Sequence, residues 1–313
     1  MKKPAIRRIK YIIPTTFQGR TILDFLKSIG YSRNVISHLK ETVNLDVYKV
    51  LKGNEEFTLD IVELNNSDNI IPIQMPIDII YEDDDMVVVN KTSNMPTHPS
   101  HNNLENTLGN ALQYYYQDRN FVYRPINRLD KDTTGIVIVA KNILSANYLS
   151  NMLINFQLSK TYIGIAKGNI YNIINKPEIL GTHIPVHDLS RILNVSFEVN
   201  LPIKRENLES VRRIVSPQGS EKAITKVIAL KYNSEKDLSL CKFKLFTGRT
   251  HQIRVHMCHL GYPLIGDFLY NPDYTFINRQ ALHCNEIYFI HPIIGKMIRI
   301  IAKMPKDMKD INI

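Results

Sequence analysis

The stretch Asn127–Lys141, NRLDKDTTGIVIVAK, constrains the fold of this chain more than any other. Its second half, Ile136-Val137-Ile138-Val139-Ala140, is an unbroken apolar run too short for a typical helix, and it reads as a strand buried on both faces. The turn that feeds it is polar and crowded. Asp130 sits at its centre, with Arg128, Lys131, Asp132, Thr133, Thr134 and Gly135 around it. A domain must be assembled around such a strand, so the turn delivers a carboxylate to the edge of the core. There, burial and a neighbouring cation can fix its charge and its aim.

The rest of the composition narrows the class. The chain has 313 residues, 44% hydrophobic and 22% charged, enough for two domains of ordinary globular make-up. No apolar run approaches the roughly 20 residues that span a bilayer. The basic start, MKKPAIRRIKYIIPTTF, lacks the long apolar segment and small-residue cleavage site of a secretory signal, so a cytoplasmic protein is expected. Three separated cysteines, Cys241, Cys258 and Cys284, build neither a disulfide framework nor a four-thiolate zinc site. A net charge of +9 suits a polyanionic partner. Neither G-x-G-x-x-G nor a P-loop occurs, which sets aside dinucleotide and P-loop chemistry.

Helical spacing marks Thr21–Lys40, broken at Gly30-Tyr31-Ser32, with Ser32 as the cap of a second helix. The segment YKVLKGNEEFTLDIVEL reads as a hairpin turning at Lys52-Gly53-Asn54-Glu55. Asn65–Asn69 is the best linker. Beyond it, Ile77–Lys91 reads as strand, acidic turn, strand. Ile143–Phe156 is helical, and Thr161–Gly168 and Val227–Leu245 return to strand character. Without a regular βαβ repeat, this is an α+β domain with a mixed, largely antiparallel sheet.

Four blocks then occur in order: YEDDDMVVVNKTSNMPTHPS from Tyr81, Arg124–Asn142, FQLSKTYIGIAKG from Phe156, and LFTGRTHQIRVHMCHLGYPLIGDFLY from Leu245, continued by RQALHCNEIYFIHPIIGK from Arg279. Together they resemble the RluA-type RNA pseudouridine synthases over most of the chain from residue 77. Thr92 stands where the family has proline. The first segment's two helices and hairpin resemble the small RNA-binding domain shared with ribosomal small-subunit protein four. The expected division is residues 1–70 as a degenerate form of that module and 71–313 as the catalytic domain. Between Asn175 and Phe197 the chain is longer than the usual connection.

The resemblance implies an isomerase that breaks the bond from ribose to uracil N1, turns the base and rejoins it through C5. No electrons are exchanged, so neither cofactor nor metal is expected. Asp130 is the implied catalytic aspartate, as nucleophile at the anomeric carbon or as base at the neighbouring one, and either route needs it ionised. Arg254 is the implied cation beside it, with Arg249 the competitor. Tyr162, in the Lys-x-Tyr block, is placed against the uracil, where its ring can stack and its hydroxyl can help remove the C5 proton. Arg128 faces the RNA, Lys160 holds phosphate or stays solvated, and Ile253 and Leu282 line the pocket. The implied partner is ribosomal or transfer RNA, with a monomeric protein and neither membrane nor obligatory protein partner.

Other readings of the same residues are a non-catalytic RNA-binding or ribosome-assembly protein on this scaffold, and a glycoside hydrolase. The hydrolase would need a second acid, with Asp132 and the Glu82–Asp85 run as candidates. His251, His256, Cys258 and His259 offer zinc-ligand types at unfamiliar spacing. Arg7, Arg8, Lys10, Arg212, Arg213 and Lys222 are available to neutralise phosphates.

Overall fold

The computed structural model describes residues 3–100, 103–175, 196–218 and 221–313. Most of the long connection from Asn175 to Phe197 lies outside them. The first elements are β1 (Ala5–Ile12), α1 (Ile22–Ser28), α2 (Arg33–Val43) and β2 (Glu56–Glu63). Both helices begin where short polar side chains can take orphan amides. Thr21 and Asp24 form a reciprocal capping box, and the Ser32 hydroxyl accepts from the Val35 amide. Their apolar faces pack with β1 and β2 into a cluster that includes Phe25, Leu26, Leu39 and Ile61, and that also takes in Leu144 from much later in the chain.

The expected hairpin does not form. β2 pairs antiparallel with β1, from Ala5 opposite Glu63 to Ile12 opposite Glu56. Residues 47–51 instead give their backbone groups to the approach to α1: the Leu51 amide donates to Arg20 O at 2.8 Å and the Leu23 amide to Val47 O at 2.8 Å. That docking buries Val47 and Leu51 and leaves Tyr48 and Val50 exposed.

The following elements are β3 (Ile79–Glu82), β4 (Met86–Lys91), α3 (Leu108–Tyr115), β5 (Arg124–Pro125), β6 (Thr134–Ala140), α4 (Ile143–Ile154), β7 (Ser159–Lys167), β8 (Ser196–Asn200), β9 (Ile203–Arg205), β10 (Arg213–Val215), β11 (Ile224–Asn233), β12 (Leu238–Leu245), α5 (Gln252–His259), β13 (Leu282–Ile290), β14 (Met297–Ile301) and α6 (Lys306–Lys309). A ten-stranded sheet runs β3-β4-β6-β13-β7-β12-β11-β8, with β5 alongside β6 and β14 alongside β13. Its ladders are antiparallel except β6 with β13. This is the mixed, largely antiparallel α+β arrangement expected. β6 is central and buried at every residue, as its apolar run requires.

The β6–β13 seam depends on Gly135. Its φ is +109°, and a Cβ there would come within 2.2 Å of the Cys284 carbonyl oxygen, so only glycine permits the approach. The seam brings the chain just after Asp130 against His283 and Cys284. Among the described residues, no helix is long and apolar enough to cross a membrane.

Candidate active site

The turn before β6 is pinned along its length. Asn127 is buried and substitutes for a neighbouring strand: its Nδ2 donates to Ile136 O at 2.9 Å and its Oδ1 accepts from the Ile138 amide at 2.9 Å. The Thr97 hydroxyl donates to Leu129 O and accepts from the Leu129 amide. Lys91, 1% exposed, donates to Thr92 O, Met95 O and Lys131 O at 2.8, 2.8 and 2.9 Å. Burial pushes its ammonium down to about 7, against the charges of Asp132 and Asp130. The Thr133 amide donates to Asp130 O at 3.1 Å and closes the turn. The Asp130 carboxylate is thereby held at a cavity wall with its side chain 27% exposed.

The other wall comes from α5. Gln252 locks the approach to that helix, its Oε1 accepting from the Arg249 amide and the Thr247 hydroxyl while its Nε2 donates to Ile224 O and Thr225 Oγ1. Arg254, in the first turn, is 2% exposed and spans two acids. Its Nη1 lies 2.9 Å from Asp130 Oδ2, while Nε and Nη2 both lie 2.7 Å from the carboxylate of Asp267. Burial works against the guanidinium. Hydrogen bonding to Asp267 and the charges of Asp130 and Asp267 outweigh it and raise Arg254 above its ordinary value. Its Cζ also sits 5.2 Å from the centre of the Tyr270 ring and 5.4 Å from that of Phe268.

The space between is a cavity of about 930 Å³. Asp130, Tyr162, Lys160, Arg128, Arg249 and Arg254 all line it, and Ile253 and Leu282 form part of its apolar surface. Arg128 and Arg249 are exposed at its edge. Arg249 is not drawn to Asp130: its Nε donates to Lys222 O at 3.1 Å, so the salt bridge belongs to Arg254. Tyr162 is 5% exposed and lies beside the Cys284 thiol. Burial, with Cys284 and then Asp130 adding to it, raises its phenol well above the ordinary value. Among the described residues, Asp130 is the one carboxylate lining the cavity. Asp132 instead accepts from the Asn94 amide, and Asp83 and Asp85 are taken up by His291 and Arg7 away from it. The second acid of a hydrolase is missing from these walls.

Asp267 and Lys91 are not legible in the sequence, and His251 is legible there only as a zinc-ligand type. Asp267 has its side chain 0% exposed and is the second anchor of Arg254, and a guanidinium buried beside Asp130 calls for such a counter-charge. Lys91 holds the turn from below. His251 adopts the left-handed conformation, φ 58°, at the cap of α5. Its Nε2 is 3.9 Å from Asp130 Oδ2 and its Nδ1 is 3.2 Å from the Tyr270 hydroxyl. Burial lowers the imidazole, partly opposed by Asp130. The zinc-type grouping is not assembled: both ring nitrogens of His256 are engaged, with Thr225 Oγ1 and Leu201 O at 2.9 Å each.

The match to known proteins coincides with this geometry. Residues 85–259, which carry Asp130, Tyr162, Lys160 and Arg254, match the family model described as RNA pseudouridylate synthase. The chain belongs to that family. It is 34% identical over 97% of its length, and 96% of the relative's, to a Bacillus subtilis protein called uncharacterized RNA pseudouridine synthase YhcT. It is 35% identical to the ribosomal large subunit pseudouridine synthase D of Buchnera aphidicola, over 84% of this chain and 80% of that one. The solved structure of human RNA pseudouridylate synthase domain containing 1 shares the fold, with a TM-score of 0.54 over 73% of this chain and 83% of that one at 22% identity.

Proposed function

We propose that this RNA pseudouridine synthase isomerises uridine in ribosomal or transfer RNA, with Asp130 as the group that acts on the ribose. The observation that carries the assignment is the Asp130 carboxylate at the wall of a cavity roomy enough for a nucleotide, bound at 2.9 Å by a buried guanidinium that is itself anchored by Asp267. A uridine stacked in a helix cannot reach such a site, so the nucleotide flips into it. Asp130 then either attacks C1′, to be displaced again when C5 bonds there, or removes a proton from C2′ that it returns when C5 bonds to C1′; in both routes N1 ends by gaining a proton as C5 loses one. The N1–C1′ bond breaks with its electron pair going to the base. The base turns, C5 joins C1′, and the C5 proton leaves. Tyr162 gives the uracil a ring to pack against, and Ile253 and Leu282 complete the apolar wall. With burial raising its phenol, Tyr162 acts through its ring and as a hydrogen-bond donor rather than as the base. No step requires a metal or a redox cofactor.

Ribosomal RNA is the favoured substrate, because several relatives are named for the large ribosomal subunit. Arg128, Arg249 and Lys244 lie at the exposed side of the cavity, where phosphates pass. Residues 1–70 are proposed as an RNA-contacting module and 71–313 as the catalytic domain, in a monomeric cytoplasmic protein. Mapping pseudouridines in cells with and without the gene tests the reading. One or more sites should vanish with the gene and return with wild-type protein but not with Asp130→Asn. An unchanged map would favour the non-catalytic RNA-binding alternative.

A further inference from the structure

Lys160 is a buried ammonium without a counter-ion. It is 8% exposed, yet among the described residues its Nζ has neither a hydrogen bond nor an ion pair. Its one electrostatic neighbour is the Cys284 thiol, which burial pushes up to about 12 and so keeps neutral. On β7, Lys160 and Tyr162 point the same way, and both line the cavity that holds Asp130. The Nζ lies under the Thr247–Gly248 turn, 3.4 Å from where a Cβ on Gly248 would sit. Burial lowers the Lys160 ammonium below its ordinary value, and an anion arriving in the cavity that it faces would favour the charged form.

We propose that Lys160 stabilises the detached uracil anion, an assignment that rests on the pseudouridine synthase reading. When N1–C1′ breaks, the electron pair stays on the base, and the negative charge spreads over N1 and the two carbonyl oxygens. It returns to neutrality when C5 bonds to C1′, and loss of the C5 proton with gain of one at N1 then completes the product without further change of charge. The Lys160 ammonium donates to a carbonyl oxygen throughout and keeps its own proton, so the isomerisation still balances. Its placement supports the base over a phosphate. Phosphates have exposed cations available at the rim, Arg128, Arg249 and Lys244, whereas Lys160 is buried two residues from the ring that receives the uracil.

The test is single-turnover kinetics with excess enzyme on RNA from cells lacking the gene. One preparation is labelled with tritium at uracil C5. The other carries 5-fluorouridine, and its fluorinated C-nucleoside product is counted by mass spectrometry. Lys160→Met should lower the rate on uridine by about 10²-fold, as when an anion-stabilising donor is removed, with RNA affinity unchanged. The loss on 5-fluorouridine should be at least several-fold smaller, because fluorine already stabilises the departing base. Lys160→Arg should recover part of the rate. The Met variant should melt no lower than wild type, since it removes an uncompensated buried charge. Lys160→Gln, neutral but still a donor, should show an intermediate loss and serves if the Met variant does not fold. Equal losses on both RNAs, weakened binding with the saturating rate kept, or an unchanged rate would each overturn the assignment. A wild-type protein inert on both RNAs would instead remove the reading beneath it.

Discussion

At the residue scale the site is an ion chain, Asp130–Arg254–Asp267, most of it out of water. Removing its middle member leaves Asp267 buried and unpaired. Arg254→Met should therefore cost about 3–5 kcal/mol in urea unfolding as well as abolish turnover. Asp267→Asn keeps the shape but loosens the guanidinium. It should lower kcat about 10²-fold with RNA affinity retained, the scale expected when a reacting group is displaced by about an ångström. An unaltered kcat in that variant would show that Asp267 does not aim Arg254. The sequence made Asp130 and Arg254 readable because each lies in a motif whose chemistry needs that residue type. Asp267 escaped because its role appears only when the helix of Arg254 packs against the Gly266–Tyr270 turn, a contact that local pattern does not encode. Lys91 escaped for a similar reason: a lysine after an apolar strand looks like a solvated end, not a donor to three carbonyls.

At the element scale, two histidines tie strands and helix together in the neutral form. His256 joins α5 to β11 and to Leu201 O, and His283 joins β13 to Thr134 of β6 and to Ala302 O. Burial pushes each down to about 4 from 6.5. The unfolded chain takes up these protons as pH falls through 6.5, and the folded chain resists until about 4. Their contribution is thus fully present above pH 6.5 and is lost between 6.5 and 4, on the order of 3 kcal/mol apiece. Urea unfolding across that range should show stability falling with acidity, and His256→Gln should make the slope shallower. Gly135→Ala tests the β6–β13 seam. The new methyl would meet the Cys284 backbone at a strained φ, so a loss of roughly 3 kcal/mol or more is expected. The elements themselves are legible where local rules decide: the cap at Ser32, the helix at Ile143, the apolar run of β6. The hairpin after Tyr48 was misread because two alternating runs around a glycine turn look alike whether they pair with each other or with remote partners. β1, more than 40 residues away, and the approach to α1 had the better-fitting edges.

At the scale of the whole molecule, residues 3–63 are bolted to the rest. Arg7 reaches Asp85 at 2.9 Å, Glu63 reaches Arg124 at 2.9 Å, and Leu144 of α4 is buried in the first cluster. Wild-type protein should therefore unfold in one transition, and Leu144→Ala should cost about 2–5 kcal/mol. A separate early transition for the first segment would contradict this. The same contacts revise the reading of surface charge. Arg7, Arg8 and Lys10 are committed to Asp85, Asp60 and Glu56, so the basic start of the chain is largely neutralised within the fold. Net charge suits a polyanionic partner but does not say which cations face it. Substituting Lys244 by alanine at the cavity edge should lower the salt slope of RNA binding by about 1, whereas Arg8→Ala should leave it unchanged.

Release of tritium from RNA labelled at uracil C5, compared between wild type and Asp130→Asn, bears most directly on whether this carboxylate does the chemistry. The variant should bind RNA within about twofold of wild type, because its exchange of oxygen for an amide leaves every phosphate contact in place, and it should release no tritium above background. Release at a rate close to wild type would contradict the account.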